Sequence, residues 1–84
     1  MVSWKVWPLD EKTGRMHVRS IGTIDYGRAL EALDAVHMRP GWALDGFKMR
    51  RPRGRGLFDV TLVLRRLERS TPPLSAEQVE EMLA

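Results

Sequence analysis

The apolar residues of this chain follow two different periods, and the order of those periods limits the folds that it can adopt. Every second residue is apolar over 2–6, 16–18 and 58–64, a period that places one face of a β-strand against a core. Residues 26–38 instead repeat apolar side chains at spacings of three and four, as on one face of an α-helix. Strands on both sides of one long helical segment predict an α+β domain.

Turn residues divide the predicted strands into two hairpins. The first hairpin joins strands at 2–9 and 15–21 through a turn in which Gly14 can adopt a positive φ. The second hairpin joins strands at 44–51 and 57–66. The helix between the hairpins is predicted to bury a face formed by Tyr26, Ala29, Leu30, Leu33, Val36 and His37.

A second helix start follows a linker at 70–73 that two prolines stiffen. Ser75 and Gln78 have the spacing of a capping box, and Leu74 and Val79 have the spacing of a hydrophobic staple. The helix that follows is too short to be stable unless it docks on this domain or on a partner.

These elements predict one small α+β domain in the order ββαββα. We expect a mainly antiparallel sheet of four strands, with the main helix packed on one face and the short C-terminal helix on an edge or on the other face. Residues 1–69 are the predicted core domain. Residues 70–84 are the proline-containing linker and the short helix, docked on the core or on a partner.

The chain has 84 residues and no cysteine, which excludes disulfides, zinc–cysteine sites and thiol nucleophiles. It also shows neither the apolar region of a signal peptide nor an apolar run of membrane-spanning length. We therefore expect a cytoplasmic protein that does not associate with membranes.

Residues that carry catalysis or bind metals do not occur here in recognised arrangements. His17 and His37 are the only histidines, and neither has a neighbouring ligand at metal-site spacing. We interpret His37 as a residue at the edge of the core and His17 as a surface residue. No nucleophile motif or phosphate-binding loop motif is present. The sequence thus predicts no enzyme, no metal site and no cofactor.

Positive charge is concentrated in one part of the chain. The range 48–69 contains eight basic and two acidic residues, whereas the rest contains six basic and nine acidic residues. The hairpin loop at 49–56 combines guanidinium groups, which pair with phosphate or carboxylate oxygens, with glycines that let a ligand approach the backbone closely. The alternative is a solvated hairpin tip whose arginines discourage edge pairing. The predicted binding residues for an anionic partner are Lys48, Arg50, Arg51, Arg53, Arg55 and Arg65.

A second candidate surface is apolar. Trp7 falls on the strand face opposite Trp4, where it could stack on a base, anchor a protein or be covered by the C-terminal helix. Val63 is expected to face away from the core in the same way. The candidate partner surface consists of Trp7, Val63, Val79, Met82 and Leu83.

Two functions remain open from the sequence. One is a small non-enzymatic module that contacts nucleic-acid phosphates through the Arg/Gly-rich loop. The other is a small protein-binding regulator or inhibitor, of the kind that phages encode, which uses the same loop against an acidic protein surface. The sequence also allows a homodimer through a sheet edge, with the strand at 57–66 pairing between copies. It does not distinguish DNA, RNA and protein as the partner.

Overall fold

A computed structural model describes residues 3–51 and 56–84 of the chain. Within them, an antiparallel sheet of five strands carries two helices, which confirms the predicted α+β class and adds one short strand ahead of the first helix. The elements in chain order are β1 (Ser3–Val6), β2 (Arg15–Ile21), β3 (Ile24–Asp25), α1 (Tyr26–His37), β4 (Trp42–Arg50), β5 (Leu57–Arg66) and α2 (Ala76–Leu83).

The central strand of the sheet is β5. Its residue Thr61 pairs with Arg19 of β2 on one side and with Lys48 of β4 on the other. Strand β1 pairs with the outer side of β2, so the strands run in the order β1–β2–β5–β4, and β3 pairs with the first two residues of β5. Because both sides of β5 are occupied, this strand is not an edge and the pairing of copies through residues 57–66 is wrong, while a homodimer through another sheet edge stays a prediction.

Both helices pack on one face of the sheet and share a single core with it. Helix α1 covers the β4–β5 side with Ala29, Ala32 and Val36, and α2 packs beside α1 against β1 with Val79 and Leu83. The C-terminal helix therefore lies at the β1 edge of the sheet, as one of the two expected placements, and the alternative placement on the other face is wrong. The sheet residues of this core are Trp4, Met16, Val18, Val60, Leu62 and Leu64.

Helix α2 begins as its sequence predicts. The Ser75 hydroxyl accepts a hydrogen bond from the Gln78 backbone N–H at 3.1 Å, and the Gln78 side chain accepts one from the Ser75 N–H at 2.9 Å. Leu74 and Val79, at the staple positions, are both buried. The capping box fixes the start of a helix that is too short to be stable alone, and the buried side chains hold it on the core.

The buried face of α1 is narrower than its sequence predicts. Ala29, Ala32 and Val36 form the stripe that faces the sheet, whereas Tyr26, Leu30 and His37 lie outside that stripe and are exposed. Small side chains face the sheet, so the helix lies close to it while the larger flanking residues stay in solvent. The interpretation of His37 as a core-edge residue is therefore wrong.

Neither helix in the described ranges has both the length and the apolar character needed to cross a membrane. The same ranges contain no cluster of three or more histidine, aspartate or glutamate residues that could hold a metal ion.

Candidate functional site

The sheet has a second face, opposite the helices, which we call the open face because no described element covers it. The two-residue period of each strand directs alternate side chains to it. In β2, for example, Arg15, His17 and Arg19 are exposed while Met16 and Val18 are buried. The open face includes Lys5, Trp7, Arg15, His17, Arg19, Asp45, Lys48, Arg50, Asp59, Thr61, Val63 and Arg65.

The open face is strongly basic. It carries six lysines and arginines against two aspartates, a net charge of +4, whereas the other described residues carry six basic and nine acidic side chains, a net charge of −3. Helix α2, in the opposite layer, carries three glutamates and no basic residue. The charge distribution of the molecule therefore favours the approach of an anionic ligand to the open face.

Asp45 neutralises two arginines at one end of the open face. Its carboxylate lies 2.6 Å from Arg15 Nε and 3.3 Å from Arg65 Nε, so it links the side chains of β4, β2 and β5. It lies at an irregularity in the β4–β5 register between Leu44 and Gly46. Both arginines are therefore held by the protein's own carboxylate.

The cations at the other end of the open face form weaker ion pairs, or none, with the described carboxylates. Arg19 is 4.0 Å from Asp59, which is a weak contact. None of the ion pairs among the described residues includes Lys48 or Arg50. These two side chains, with Arg19 beside them, are the part of the face best placed to bind an external anion.

Two adjoining depressions form a groove across the open face. One, of about 370 Å³, is lined by Trp7, His17, Arg19 and Thr61. The other, of about 160 Å³, is lined by Arg19, Lys48, Arg50, Asp59 and Thr61. The two depressions share Arg19 and Thr61, so an aromatic end and a cationic end belong to one continuous surface.

Trp7 forms the aromatic end of this groove. Its side chain is 38% exposed, whereas Trp4 and Trp42 are 4% and 5% exposed in the core. Its backbone N–H donates to the carbonyl of His17 at 3.0 Å, which places the indole and the imidazole on neighbouring strands. The Lys5 ammonium lies 5.0 Å from the centre of the Trp7 ring, within the range of a cation–π contact.

The structure divides the predicted basic site. Lys48, Arg50 and Arg65 share the open face, although Arg65 is paired with Asp45. Arg51 instead lies over the Phe58 ring at 5.4 Å, on the side of the sheet that carries α1. The predicted binding residues Arg53 and Arg55 lie outside the described residues.

The predicted apolar partner surface is not a continuous surface. Val79 and Leu83 are buried in the core and Met82 is packed against it, because the apolar side of α2 docks on this domain. Trp7 and Val63 lie on the open face, on the opposite side of the sheet from α2. Grouping these five residues was therefore wrong, and α2 does not cover Trp7.

Sequence reasoning left Lys5, Arg15, His17 and Arg19 out of the predicted site. Because polar and apolar residues alternate along β2, the sequence already placed Arg15, His17 and Arg19 on one face of that strand. The sequence did not show that β2 lies next to β5, which brings this face beside Lys48 and Arg50.

A larger depression, of about 630 Å³, lies between the start of α1, β3 and the last residue of the chain. Its polar groups are already used within the protein. Asp25 accepts a hydrogen bond from the Arg28 backbone N–H at 2.7 Å, and Arg28 pairs with Glu31 and donates to the carbonyl of Leu83. This depression therefore offers a ligand fewer uncommitted groups than the open face.

Comparisons of this chain with protein-family models, curated proteins and solved structures found no match.

Proposed function

We propose that this protein is a non-enzymatic nucleic-acid-binding module whose open face contacts the phosphate backbone. The observation that carries the proposal is the groove in which Lys48 and Arg50, without a carboxylate partner among the described residues, lie at one end and the exposed Trp7 lies at the other. Guanidinium and ammonium groups donate hydrogen bonds to phosphate oxygens, and an exposed indole offers a surface to a base.

The alternative partner, an acidic protein surface, accounts for the cations and would also pack on Trp7, but it gives no particular role to His17 beside that ring. Trp7 and His17 are of the residue types that stack on bases. A groove that combines cations with such rings is typical of proteins that bind nucleic acid through backbone charge and base stacking. The combination therefore favours nucleic acid over protein.

Arg50 and Arg51 allow a matched test because they are neighbours in sequence on opposite sides of the sheet. We expect Arg50→Ala to weaken binding of labelled DNA or RNA and to reduce the slope of log affinity against log salt concentration by about 1. Arg51→Ala removes the same charge but should leave both quantities near the wild-type values. Fluorescence anisotropy at about 50 mM and about 200 mM salt measures both.

Equal losses in the two variants would show that the loop binds as a unit and would overturn the role given to the open face. Absence of binding to any oligonucleotide at low salt, together with binding to an acidic peptide such as poly-glutamate, would favour the protein-binding alternative. Thermal unfolding of both variants shows whether either substitution disturbs the fold.

A further inference from the structure

We propose that the groove selects single-stranded nucleic acid, because Trp7 and His17 form a platform on which an unpaired base stacks while Arg19, Lys48 and Arg50 hold the adjacent phosphates. This inference rests on the proposed function and specifies the form of its ligand. It assigns separate roles to the two ends of one groove.

The Trp7 ring has two faces, and a cation lies over one of them. Lys5 places its ammonium 5.0 Å from the ring centre, so one ring face is occupied by a cation. The ring also lines the depression that it shares with His17, Arg19 and Thr61. A base stacked on the remaining face would lie in the depression that Arg19 also lines, which places a cation near the phosphate of the same nucleotide.

The aromatic and cationic ends of the groove are separated by the width of four strands. Trp7 extends from β1 and Lys48 belongs to β4, so three inter-strand steps, roughly 14 Å in total, separate them across the sheet. A ligand that reaches both ends must therefore place a base at one end and backbone phosphates at the other. A flexible single strand of a few nucleotides can follow such a path.

A double helix satisfies only half of this site. Its bases are stacked and paired inside the duplex, so only phosphates and groove edges would reach the open face. The two rings lie in a depression of the sheet rather than on a projecting element, so they are poorly placed to enter a groove of the duplex. Duplex binding would therefore use the cations alone.

Trp7 and Phe47 provide a matched pair for the test, because their side chains are 38% and 37% exposed and lie on opposite faces of the sheet. We expect Trp7→Leu to weaken binding of single-stranded oligonucleotides between about 5-fold and 150-fold, the range of losing one stacked base. Its salt slope should stay unchanged, because no phosphate contact is removed. Phe47→Leu should bind like the wild type, and Trp7→Phe should retain part of the affinity.

The titration uses single-stranded DNA, single-stranded RNA and duplex DNA of about 16 nucleotides, with inorganic polyphosphate as a probe that has charge but no bases. We expect the wild type to prefer both single strands over the duplex and over polyphosphate. A difference between the DNA and RNA arms would show which sugar the groove prefers. Quenching of tryptophan fluorescence reports stacking directly, because Trp7 is the exposed member of the chain's three tryptophans.

The outcomes separate this inference from the proposed function. If duplex and single strand bind equally and Trp7→Leu changes neither, the stacking platform is overturned while phosphate binding stands. If polyphosphate binds as well as the single strands, the face is a general polyanion site and the base has no role. If no nucleic acid binds, the proposed function itself fails.

Discussion

At the scale of single residues, the Ser20 side chain fills a gap in the backbone hydrogen bonding of β5, between the part that pairs with β2 and the part that pairs with β3. Its side chain is buried, accepts a hydrogen bond from the Val60 backbone N–H at 3.0 Å and donates one to the carbonyl of Gly22 at 2.9 Å. Val60 lies between the residues of β5 that pair with β2 and those that pair with β3. The serine hydroxyl thus supplies the acceptor that the backbone does not provide at this point.

We expect Ser20→Ala to lower the free energy of unfolding by about 1–3 kcal/mol, because it leaves the Val60 N–H buried without a partner. Urea denaturation measures the change, and an unaltered slope against urea concentration would show that the folded state keeps its compactness. Ser70→Ala, at an exposed position, is the control and should change stability by no more than about 0.5 kcal/mol. Equal effects of the two variants would contradict the role assigned to Ser20.

The assignment of Arg50 and Arg51 to opposite sides of the sheet was available from the sequence in principle. Adjacent residues of a strand point to opposite faces, and the alternation in β5 was predicted correctly. The sequence prediction grouped the arginines by charge instead, and so placed both in one site. The stacking of Arg51 on Phe58 could not be predicted, because it depends on the register in which β4 pairs with β5.

At the scale of elements, α2 is the helix whose stability depends most on its cap and on its contacts with the core. Its eight residues bury Val79 and Leu83 against the core and begin at a complete capping box. An isolated helix of this length is unstable in water, so the cap and the docking surface must act together.

Ser75→Ala is expected to lower the free energy of unfolding by about 1 kcal/mol, since the N–H of Gln78 loses its acceptor. Ser75→Asp retains an acceptor at the cap and should keep most of the stability. Hydrogen exchange of backbone amides provides a local measurement: Ser75→Ala should speed exchange in α2 more than in β5. Uniform acceleration across the protein would instead indicate that α2 does not open separately from the rest.

The sequence predicted the long elements and missed the short one. Strands β1, β2 and β5 and both helices have clear periods or caps, so their existence and approximate bounds were predictable. Strand β3 has two residues, too few to show a period, and Ile24 finds its partner Phe58 far along the chain. The buried face of α1 was predicted too wide because apolar spacing alone does not reveal how closely a helix approaches a sheet.

At the scale of the whole molecule, the open face is basic while helix α2, in the opposite layer, is acidic. The open face carries the net positive charge, and Asp45 reduces it by pairing with Arg15 and Arg65. The carboxylate therefore has two opposed effects: it lowers the repulsion between cations on the folded sheet and withholds two arginines from a ligand.

Asp45→Asn should therefore bind nucleic acid more tightly, with a salt slope steeper by about 1–2, if the proposed function holds. The same variant should lose about 0.2–1 kcal/mol of stability, the usual contribution of partly exposed ion pairs. Asp34→Asn, at an exposed position of α1, makes the same change in net charge away from the open face and serves as the control. Equal tightening in both variants would mean that total charge, rather than the released arginines, governs binding.

The central position of β5 also governs how the chain can fold. This strand is the last of the five in sequence, and its pairing with β2 joins residues up to 50 positions apart, as between Arg15 and Arg65. Until it is present, the hairpin of β1 and β2 is a two-stranded ribbon, which is marginally stable in water. Folding must therefore close a long loop, at a cost in entropy, before the contacts of the sheet can stabilise the chain. Such non-local topologies fold slowly for their size. While Leu57–Arg66 is still inside the ribosome, β2, β3 and β4 lack the central strand with which each of them pairs.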